Sequence, residues 1–528
     1  MRELWRSPAR TRKFRRIFRG NSHKYYGMRQ ILPICLAIFA TAQAAERGTW
    51  LCVGPRDLVD AAAPLCEFRA AQGWRVERSQ AATADAIAAL DPKPAAVLIL
   101  GDDSTAAGNA PWLTPAERRP YHGWLAKHPA EFVSDAAFGD LDRDGVPEVP
   151  VGRIPARKPA EVAAVVNKIL AWEKRVPSPA DLTIPVWAGD PGFGKIGEGM
   201  KQVSLPFFMN RLRSEAPPWA GFWVLQSEPR SPFCGWPEDS AATFNQRISQ
   251  GSLFSAMIGH GRTDSWWIMT LPTGSLRYGA EDARALVAPQ PAAPHIVFAC
   301  RCGAFADPKM RCLGEEMLFA SGGPVACIAA SVDSHPLTNY YGSTSLLRDL
   351  NGEPTDTLGG LWVDSIGRAH KRREFLKEIL VGVLEPMVIG KRNPVKDLKA
   401  DHLLIYNLLG DPATRLFMPR PLEAKVERRE GKWVWSVDKP VGLASGQRLL
   451  IQHRAPIPGV HLGKPAGDAQ AANEALEKAN ATLGFRTVRE LDGTEPWSGE
   501  VVEPGTLRLC LAGGSVLQVH AQSLRGGR

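Results

Sequence analysis

Two reactive side chains stand where apolar runs end. The run HIVFAC covers residues 295–300 and ends in Cys300, and the run SAMIGHG covers 255–261 and places His260 between two glycines. If both runs are strands of a parallel sheet, their carboxyl ends meet at one edge, where open α/β sheets bind ligands. A thiolate attacks carbonyl carbon, and an imidazole can take the thiol proton and later protonate a leaving amine. The pattern predicts Cys300 as a nucleophile and His260 as its base.

Backbone amides beside these side chains are candidates to complete the site. Small residues next to His260 let a substrate carbonyl approach, so the N–H groups of Gly261 and Cys300 are candidate donors to an oxyanion. Each residue also has a structural interpretation, because a strand-end cysteine is often a small buried hydrophobe and a histidine beside glycine is often a turn residue. Cys302 is a competing nucleophile two residues beyond the strand end, whereas Cys312 precedes a helix, where packing or a disulfide is expected.

Strands and helices alternate along most of the chain. Apolar runs at 49–54 and 95–101 are typical of strands buried in a parallel sheet, and an amphipathic helix is predicted between them at 57–73. The alternation resumes near residue 182, and this pattern predicts an α/β fold with a doubly wound sheet. We expect an N-terminal α/β subdomain over residues 46–180 and a catalytic α/β subdomain over 181–418.

The sequence changes character near residue 418. Short, alternating runs bounded by turn residues fill 419–528, which predicts a small C-terminal β-sandwich domain. A helical insert at 468–484 interrupts these runs. The chain is long enough for two or three domains, and its 44% hydrophobic and 23% charged residues are ordinary for a globular protein.

The first 45 residues are expected to direct export. A signal peptide is predicted at 28–45, with cleavage near Ala44 or Ala45, and a basic extension at 1–27 precedes it, consistent with an upstream translation start. The first 30 residues carry ten basic side chains and one acidic side chain, which accounts for the whole net charge of +9. Nucleic-acid binding is therefore not expected. No later run is long enough to span a bilayer, so a secreted or extracytoplasmic protein is predicted.

An acidic loop has the beginning of a calcium-binding pattern. Asp140, Asp142 and Asp144 offer oxygens at alternate positions, and Glu148 follows them. Val151 stands where an EF-hand carries its bidentate glutamate, so a complete EF-hand is excluded, and a polar turn is the alternative. A structural calcium ion is a candidate, while the predicted thiol chemistry requires no cofactor.

Other residues with reactive groups have structural interpretations. Eight cysteines follow the signal peptide, and an exported chain would allow some of them to form disulfides, although the sequence leaves their pairing open. No CxxC pair or cluster of histidines indicates zinc. Asp411 precedes a proline in LLGDPATRL and is interpreted as a turn or cap residue.

Six motifs spread over residues 140–419 are specific in combination. They are DLDRDGVPEVPVGRIPARKPAEVAAVVNKILAWE (140–173), GHGRTDSWW (259–267), ACRCGAF (299–305), CLGEEM (312–317), GGPVACIAAS (322–331) and YNLLGDPATRLFMP (406–419). Together they resemble the gingipain family of cysteine peptidases, also called peptidase family C25, over roughly residues 95–420. The resemblance implies that His260 is the base and Cys300 the nucleophile. It also implies a caspase-like α/β/α sandwich in two subdomains, followed by an immunoglobulin-like β-sandwich.

The sequence departs from the family pattern beside the histidine. Arg262 follows the GHG motif, where the family continues with acidic or small polar residues. The residue that orients His260 is therefore open, with Asp264 as the nearest candidate and Glu198 as a remote one. The acidic residue of the primary specificity pocket in arginine-specific members has no assignable counterpart, so a preference for Arg or Lys is not inferred.

The predicted function is that of a secreted cysteine endopeptidase that acts on protein or peptide substrates through a Cys/His dyad and an acyl-enzyme. A transpeptidase with an amine acceptor would use the same dyad. A catalytically silent, secreted or cell-surface binding protein on the same scaffold is a second class of function. A third hypothesis assigns the function to residues 419–528, with the α/β region as their support.

Overall fold

The described residues all belong to one compact unit, Ala45–Arg528. The computed structural model describes residues 47–103, 108–190, 209–211, 214–271, 274–288, 290–352 and 355–524. The basic extension 1–27 and the signal peptide 28–45 lie outside these residues. Among the helices that are described, none combines the length and the apolar character needed to cross a membrane.

Ten described strands form one central sheet. Side by side, they are β2 (Arg75–Ser79), β1 (Thr49–Val53), β3 (Pro94–Leu100), β6 (Val151–Ile154), β14 (Tyr406–Leu409), β13 (Cys327–Ala330), β12 (His295–Phe298), β9 (Ser255–Ile258), β7 (Thr183–Ala188) and β8 (Gly221–Gln226). All neighbours are parallel except β13 and β14, which are antiparallel. The sheet therefore consists of two parallel halves that run in opposite directions. Strands β12 and β13 are buried throughout, as expected of strands covered on both faces. Outside this sheet, β4 (Glu117–Pro120) pairs with β5 (Glu131–Ser134), and β10 (Ser265–Leu271) pairs with β11 (Gly274–Gly279).

The two predicted α/β subdomains share this sheet. Strand β14 comes from the 181–418 segment and pairs with β6 of the 46–180 segment, with Leu408 opposite Gly152. A Cβ atom on Gly152 would lie 2.3 Å from a backbone oxygen of the β14 segment, so only glycine permits this approach. The chain leaves β13 and re-enters at β14 from the same edge, which reverses the strand direction. The predicted boundary near residue 180 therefore separates two segments of the chain whose strands form one continuous sheet.

Twelve α-helices are described, and Pro159–Lys174 shows how an apolar side packs against the sheet. The described helices are Arg56–Ala61, Ala63–Ala71, Ala84–Ala88, Pro159–Lys174, Ser240–Ile248, Ala280–Arg284, Leu313–Phe319, Pro336–Asp349, Leu358–Lys371, Phe375–Ile389, Val395–Ile405 and Ala469–Ala481. Helix Pro159–Lys174 begins with a proline, which suits the first helical position. It buries Val162, Val166, Ile169 and Trp172 at helical spacing, so its inner face is defined by the sequence pattern.

A buried charge cluster joins distant parts of the α/β region. The Arg69 guanidinium donates to Asp411 at 2.8 and 2.6 Å and to Glu173 at 2.9 and 2.7 Å. All three side chains are inaccessible to solvent. Asp411 also accepts a hydrogen bond from the Trp50 indole at 3.0 Å and from the Ala413 amide at 3.0 Å. Asp411 therefore stabilises its turn, as predicted, and also neutralises a buried cation.

The C-terminal region contains two further sheets. One has the order β15 (Arg420–Pro421), β22 (Val516–Leu524), β21 (Gly505–Gly513), β18 (Arg448–Arg454) and β19 (Arg486–Leu491), and the other β16 (Lys425–Arg429), β17 (Lys432–Ser436) and β20 (Ser498–Val501). Trp435 and Trp497 share one hydrophobic core with Leu449 and Leu507 of the larger sheet. Residues 419–528 therefore include a β region with its own hydrophobic core.

The helical insert of this region packs back onto the α/β unit. Helix Ala469–Ala481 contacts the edge strand β8, where the Asn480 side chain accepts from the Val224 amide at 2.7 Å and donates to its carbonyl at 3.0 Å. Because an edge strand has unpaired backbone groups, this contact protects it from pairing with another chain. The helical insert therefore packs against the edge of the large sheet, although it lies within the C-terminal segment of the chain.

Candidate active site

The carboxyl ends of β9 and β12 bring His260 and Cys300 to the same edge of the sheet. The two strands are parallel neighbours with Ile258 opposite Phe298, and each reactive residue follows two positions later. The Gly259 amide donates to the Phe298 carbonyl at 3.2 Å, which continues the pairing toward the site. Since neighbouring strands lie about 4.8 Å apart, the two side chains emerge side by side.

Gly261 packs directly against the cysteine segment. A Cβ atom built on Gly261 would lie 2.5 Å from the Cys300 carbonyl oxygen, 2.6 Å from the Cys302 sulfur and 3.0 Å from the Ala299 Cβ atom. These distances are too short for any side chain. The glycine that follows His260 is therefore required by the close contact between the two loops.

Two backbone amides remain available beside the reactive groups. Among the described residues, neither the Gly261 nor the Cys300 N–H donates a hydrogen bond. Gly261 forms an isolated bridge to Trp266, but the bonds of that bridge are made by the flanking residues. Unpaired backbone donors are uncommon in folded proteins, and donors aimed at a site can bind an oxyanion.

Cys300 is a partly exposed thiol in a turn that β13 supports. Its sulfur donates a weak hydrogen bond to the Ser334 carbonyl at 3.7 Å. Burial, and then the nearby Asp333 carboxylate, raise the pKa of Cys300 to about 11, so the thiol is neutral near pH 7. Arg301 has a positive φ of 60°, and its guanidinium donates to Asp333 at 2.8 and 2.7 Å. Such backbone conformations are uncommon outside glycine and cluster at functional sites.

The competing thiols are inaccessible. Cys302 and Cys312 are each 0% exposed, and burial raises the pKa of both well above the usual value. The Cys302 sulfur points toward the Ser265 carbonyl at 3.9 Å and packs against Gly261. All eight described cysteines are free thiols, so the described residues contain no disulfide. Cys300 is the thiol that a substrate could reach.

His260 lies beside Trp267, and the structure describes one of the two residues that are candidates to orient it. Its ring lies 5.8 Å from the Trp267 ring, and its carbonyl accepts from the Trp267 amide at 2.9 Å. The predicted orienting residue Asp264 is exposed and accepts from the adjacent Ser265 hydroxyl at 3.0 Å. Glu198 lies outside the described residues.

Asp190 is a further candidate for the site, and it is not among the residues predicted from the sequence. Strand β7 lies beside β9 with Ala188 opposite Ile258, so Asp190 stands at the level of His260. The signal was present, because the run LTIPVWAGD ends an apolar strand with an acidic residue in the same way that the other two runs end in His and Cys. Three adjacent strands therefore deliver an acid, an imidazole and a thiol to one edge.

A mostly apolar cavity opens beneath the reactive pair. It has a volume of about 320 Å³, and both His260 and Cys300 line it. Its floor includes Val186, Val224 and Phe298 from the sheet. A substrate side chain bound here would lie against aliphatic and aromatic groups.

The four acidic residues of the predicted calcium loop converge. Each of Asp140, Asp142, Asp144 and Glu148 offers one carboxylate oxygen, and these oxygens lie within 4.8 Å of one another. Asp140 is 7% exposed, and its Oδ1 atom is buried without a hydrogen-bond partner. Because four carboxylates in this space repel one another, the set fits a hard divalent cation with oxygen ligands.

This loop lies at the same edge of the sheet as the reactive pair. It leads directly into the amino end of β6, which is parallel to β14 and therefore opposite in direction to β12. The amino end of β6 and the carboxyl end of β12 thus face the same side, with β14 and β13 between them.

Comparison with known proteins defines the class of the protein. The model of peptidase family C25 matches residues 43–417. The fold is similar to that of the Arg-specific cysteine proteinase gingipain R (RgpB), with 14% identity, a TM-score of 0.51 and coverage of 91% of this chain and 98% of that one. The complex of Porphyromonas gingivalis RgpB pro- and mature domains matches with 13% identity, a TM-score of 0.51 and coverage of 90% of this chain and 100% of that one. A further protease structure matches with 15% identity, a TM-score of 0.52 and coverage of 90% of this chain and 97% of that one. No curated protein matches the sequence.

These matches identify a cysteine-type peptidase with a gingipain-like mixed α/β fold. The chain belongs to peptidase family C25, the gingipain family. The predicted family is therefore confirmed. At the observed identities, the structural likeness concerns the fold and not the choice of substrate.

Proposed function

We propose that the protein is a secreted endopeptidase that cleaves peptide bonds through Cys300 and His260. The observation that carries the proposal is their equivalent position after two paired strands, with both side chains lining one cavity. In this account the α/β unit is a caspase-like sandwich, residues 419–528 form an immunoglobulin-like sandwich, and residues 28–45 direct export.

The reaction starts from a neutral thiol. His260 takes the proton from Cys300 as the sulfur attacks the peptide carbonyl, and the resulting oxyanion accepts hydrogen bonds from the Gly261 and Cys300 amides. The protonated imidazole then gives its proton to the amine as the C–N bond breaks, which leaves a thioester. Water attacks this thioester with His260 as the base, and the carboxylic acid and the free thiol are released.

Asp190 is the better candidate to orient His260. It follows the strand next to that of His260 and lies at its level, whereas Asp264 is exposed and is engaged by Ser265. A carboxylate at this position would fix the imidazole tautomer and stabilise the imidazolium. Replacing Asp190 with asparagine should lower kcat and change the pH profile, while the same change at Asp264 should leave both nearly unaltered.

The test compares the two neighbouring thiols. Cys300→Ala should abolish hydrolysis of a fluorogenic peptide library and labelling by an acyloxymethyl ketone, whereas Cys302→Ala should keep both. His260→Ala should behave like Cys300→Ala. Unchanged thermal melting would show that folding is intact. Activity that survives in Cys300→Ala and disappears in Cys302→Ala would refute the assignment.

The same experiment separates the alternative functions. A transpeptidase would join the acyl group to an added amine, which mass spectrometry of the products detects. A silent binding protein would neither turn over peptides nor react with the ketone faster than ordinary thiols do. Loss of hydrolysis after deletion of 419–528 from a folded protein would support a functional role for the β region.

We also infer that the loop of Asp140, Asp142, Asp144 and Glu148 holds a structural calcium ion. The support is the convergence of four oxygens and the unpaired, buried Oδ1 atom of Asp140. Calcium would supply charge neutralisation there, and the loop would fix the entry into β6. No step of the proposed reaction passes through this ion.

A further inference from the structure

Helix Phe375–Ile389 presents an apolar stripe to solvent. Phe375, Leu376, Ile379, Val383 and Met387 are 74%, 81%, 47%, 58% and 80% exposed. These five are close to half of the eleven large exposed hydrophobic residues found in the described part of the chain. Their spacing of three to four residues after Leu376 puts them on one side of the helix. We call these five side chains the outer stripe.

The opposite side of this helix attaches to the protein through two carboxylates and through Val381, which packs against Leu337 and Tyr341. Glu378 accepts from the Lys399 ammonium at 2.9 Å, and it also accepts from the Tyr341 hydroxyl at 3.2 Å. Glu385 is buried and lies 2.7 Å from the His335 ring. A surface helix normally buries its apolar side and exposes its polar side. Here the described inner side combines these polar contacts with Val381, while five large apolar side chains face solvent. This exposure indicates that the outer stripe has an apolar partner.

The charges around the outer stripe identify the kind of partner. Within residues 371–396, every charged side chain that is both described and exposed is basic, namely Lys371, Arg373, Arg392 and Lys396. Two precede the helix and two follow it. Acidic residues of the segment lie on the inner side or are partly covered by their partners. The partner should therefore be apolar along the helix and negative at both of its ends.

A second copy of this chain does not fit that requirement. If two such helices paired along their outer stripes, either orientation would place basic ends next to basic ends, which opposes association. An anionic lipid surface satisfies both conditions, because acyl chains accept the apolar residues while headgroups attract the cations. The outer stripe also runs along one helix of 15 residues, which is about 22 Å long. A single straight helix of this kind can lie against a flat surface.

We propose that helix Phe375–Ile389 is a peripheral membrane-docking element that lies in the interface of an anionic bilayer. The outer stripe enters the boundary between headgroups and acyl chains, and the flanking basic residues contact the headgroups. On the inner side, Glu385 contacts His335, which follows Ser334, and the Ser334 carbonyl accepts from Cys300. Docking would therefore hold the cysteine segment close to the lipid surface. This proposal does not depend on peptidase activity.

Vesicle flotation tests the proposal. The full chain and the compact unit Ala45–Arg528 are mixed with vesicles of phosphatidylcholine alone or with about 30% phosphatidylglycerol. The compact unit is needed because the full chain contains a separate apolar run at 31–40. We expect the compact unit to float with the anionic vesicles, and its binding to fall as salt increases.

Two double variants serve as probe and matched control. Leu376→Ser with Val383→Ser should lower the partition coefficient at least about ten-fold, since two large apolar side chains no longer enter the bilayer. Val287→Ser with Val441→Ser removes two valines that are 81% and 104% exposed elsewhere and should leave binding unchanged. Because all four residues are exposed, peptide hydrolysis and melting should be the same in both variants.

Several results would overturn the proposal. Flotation of the full chain but not of Ala45–Arg528 would assign lipid binding to the N-terminal run. Equal flotation of the two double variants would remove the outer stripe from the interaction. Absence of flotation together with dimerisation in sedimentation experiments, abolished by Leu376→Ser with Val383→Ser, would assign the stripe to a second copy.

Discussion

Replacing Gly261 with alanine tests how closely the two reactive loops approach each other. The new Cβ atom would lie 2.5 Å from the Cys300 carbonyl oxygen, whereas a normal carbon–oxygen contact is about 3.3 Å or longer. The loops must therefore separate by about 0.8 Å, which changes the geometry between the imidazole and the thiol. A misplacement near 1 Å can lower the rate about 100-fold, or about 2.7 kcal/mol in activation free energy.

The measurement is kcat/KM for a fluorogenic peptide, together with thermal melting. Overpacking should destabilise the fold by about 1–3 kcal/mol, so the variant should still be folded at 25 °C. Two glycines provide a graded comparison: Gly259, whose nearest atom would be 3.2 Å away, and Gly367, with no atom within 4 Å. Activity should decrease in the order Gly367→Ala, Gly259→Ala, Gly261→Ala. Full activity of Gly261→Ala would refute the juxtaposition of the two loops as the basis of catalysis.

Three further outcomes follow from buried or clustered charges. Without substrate, alkylation of Cys300 by iodoacetamide should accelerate about ten-fold per pH unit between pH 7 and 10, because burial and Asp333 raise its pKa to about 11; a pH-independent rate would instead indicate a preformed ion pair with His260. Millimolar calcium should raise Tm, because a 100-fold excess over Kd adds about 2.7 kcal/mol to the free energy of unfolding, and Asp140→Asn should lose this response. An equal rise of Tm in the wild-type protein and in Asp140→Asn would exclude the loop as the calcium site. Arg69→Met should cost about 3–5 kcal/mol in chemical denaturation, since two carboxylates lose their buried counter-ion, and a loss below about 1 kcal/mol would contradict that role.

The strands that lead to the candidate active site could be predicted, because their sequences are apolar enough to indicate burial. The runs that end at His260 and Cys300 are continuous and apolar, which is what strands covered on both faces require. The rule that ligands bind at the carboxyl ends of parallel strands then places both side chains at one edge. The same rule applies to Asp190, and applying it to every strand would have found that residue too.

The partners of the strands could not be predicted in the same way. Local periodicity indicates that a segment is buried, but it does not indicate what covers it. Strand β14 lies between β6 and β13, and its antiparallel pairing with β13 joins two halves of the sheet that run in opposite directions. No local pattern at 406–409 predicts this pairing. Arg69 and Asp411 are 342 residues apart in the chain, so their ion pair depends on the completed fold.

Orientation of helices is a related difficulty. Helix Phe375–Ile389 is rich in apolar residues, and such a composition favours burial without indicating which side is buried. Its actual inner side is set by Tyr341, His335 and Lys399, which belong to other helices and loops. Two carboxylates of this apolar helix, Glu378 and Glu385, thus decide which way it faces, because each finds a buried or partly buried donor.

The choice between Cys300 and Cys302 shows why spacing alone is insufficient at a strand end. The two thiols are separated by one residue, and Arg301 between them adopts a left-handed backbone conformation. This turn leaves Cys300 beside the cavity, while Cys302 is enclosed between Gly261 and the Ser265 carbonyl. The ion pair from Arg301 to Asp333 holds the turn against the end of β13, so the residue between the thiols determines which of them borders the cavity.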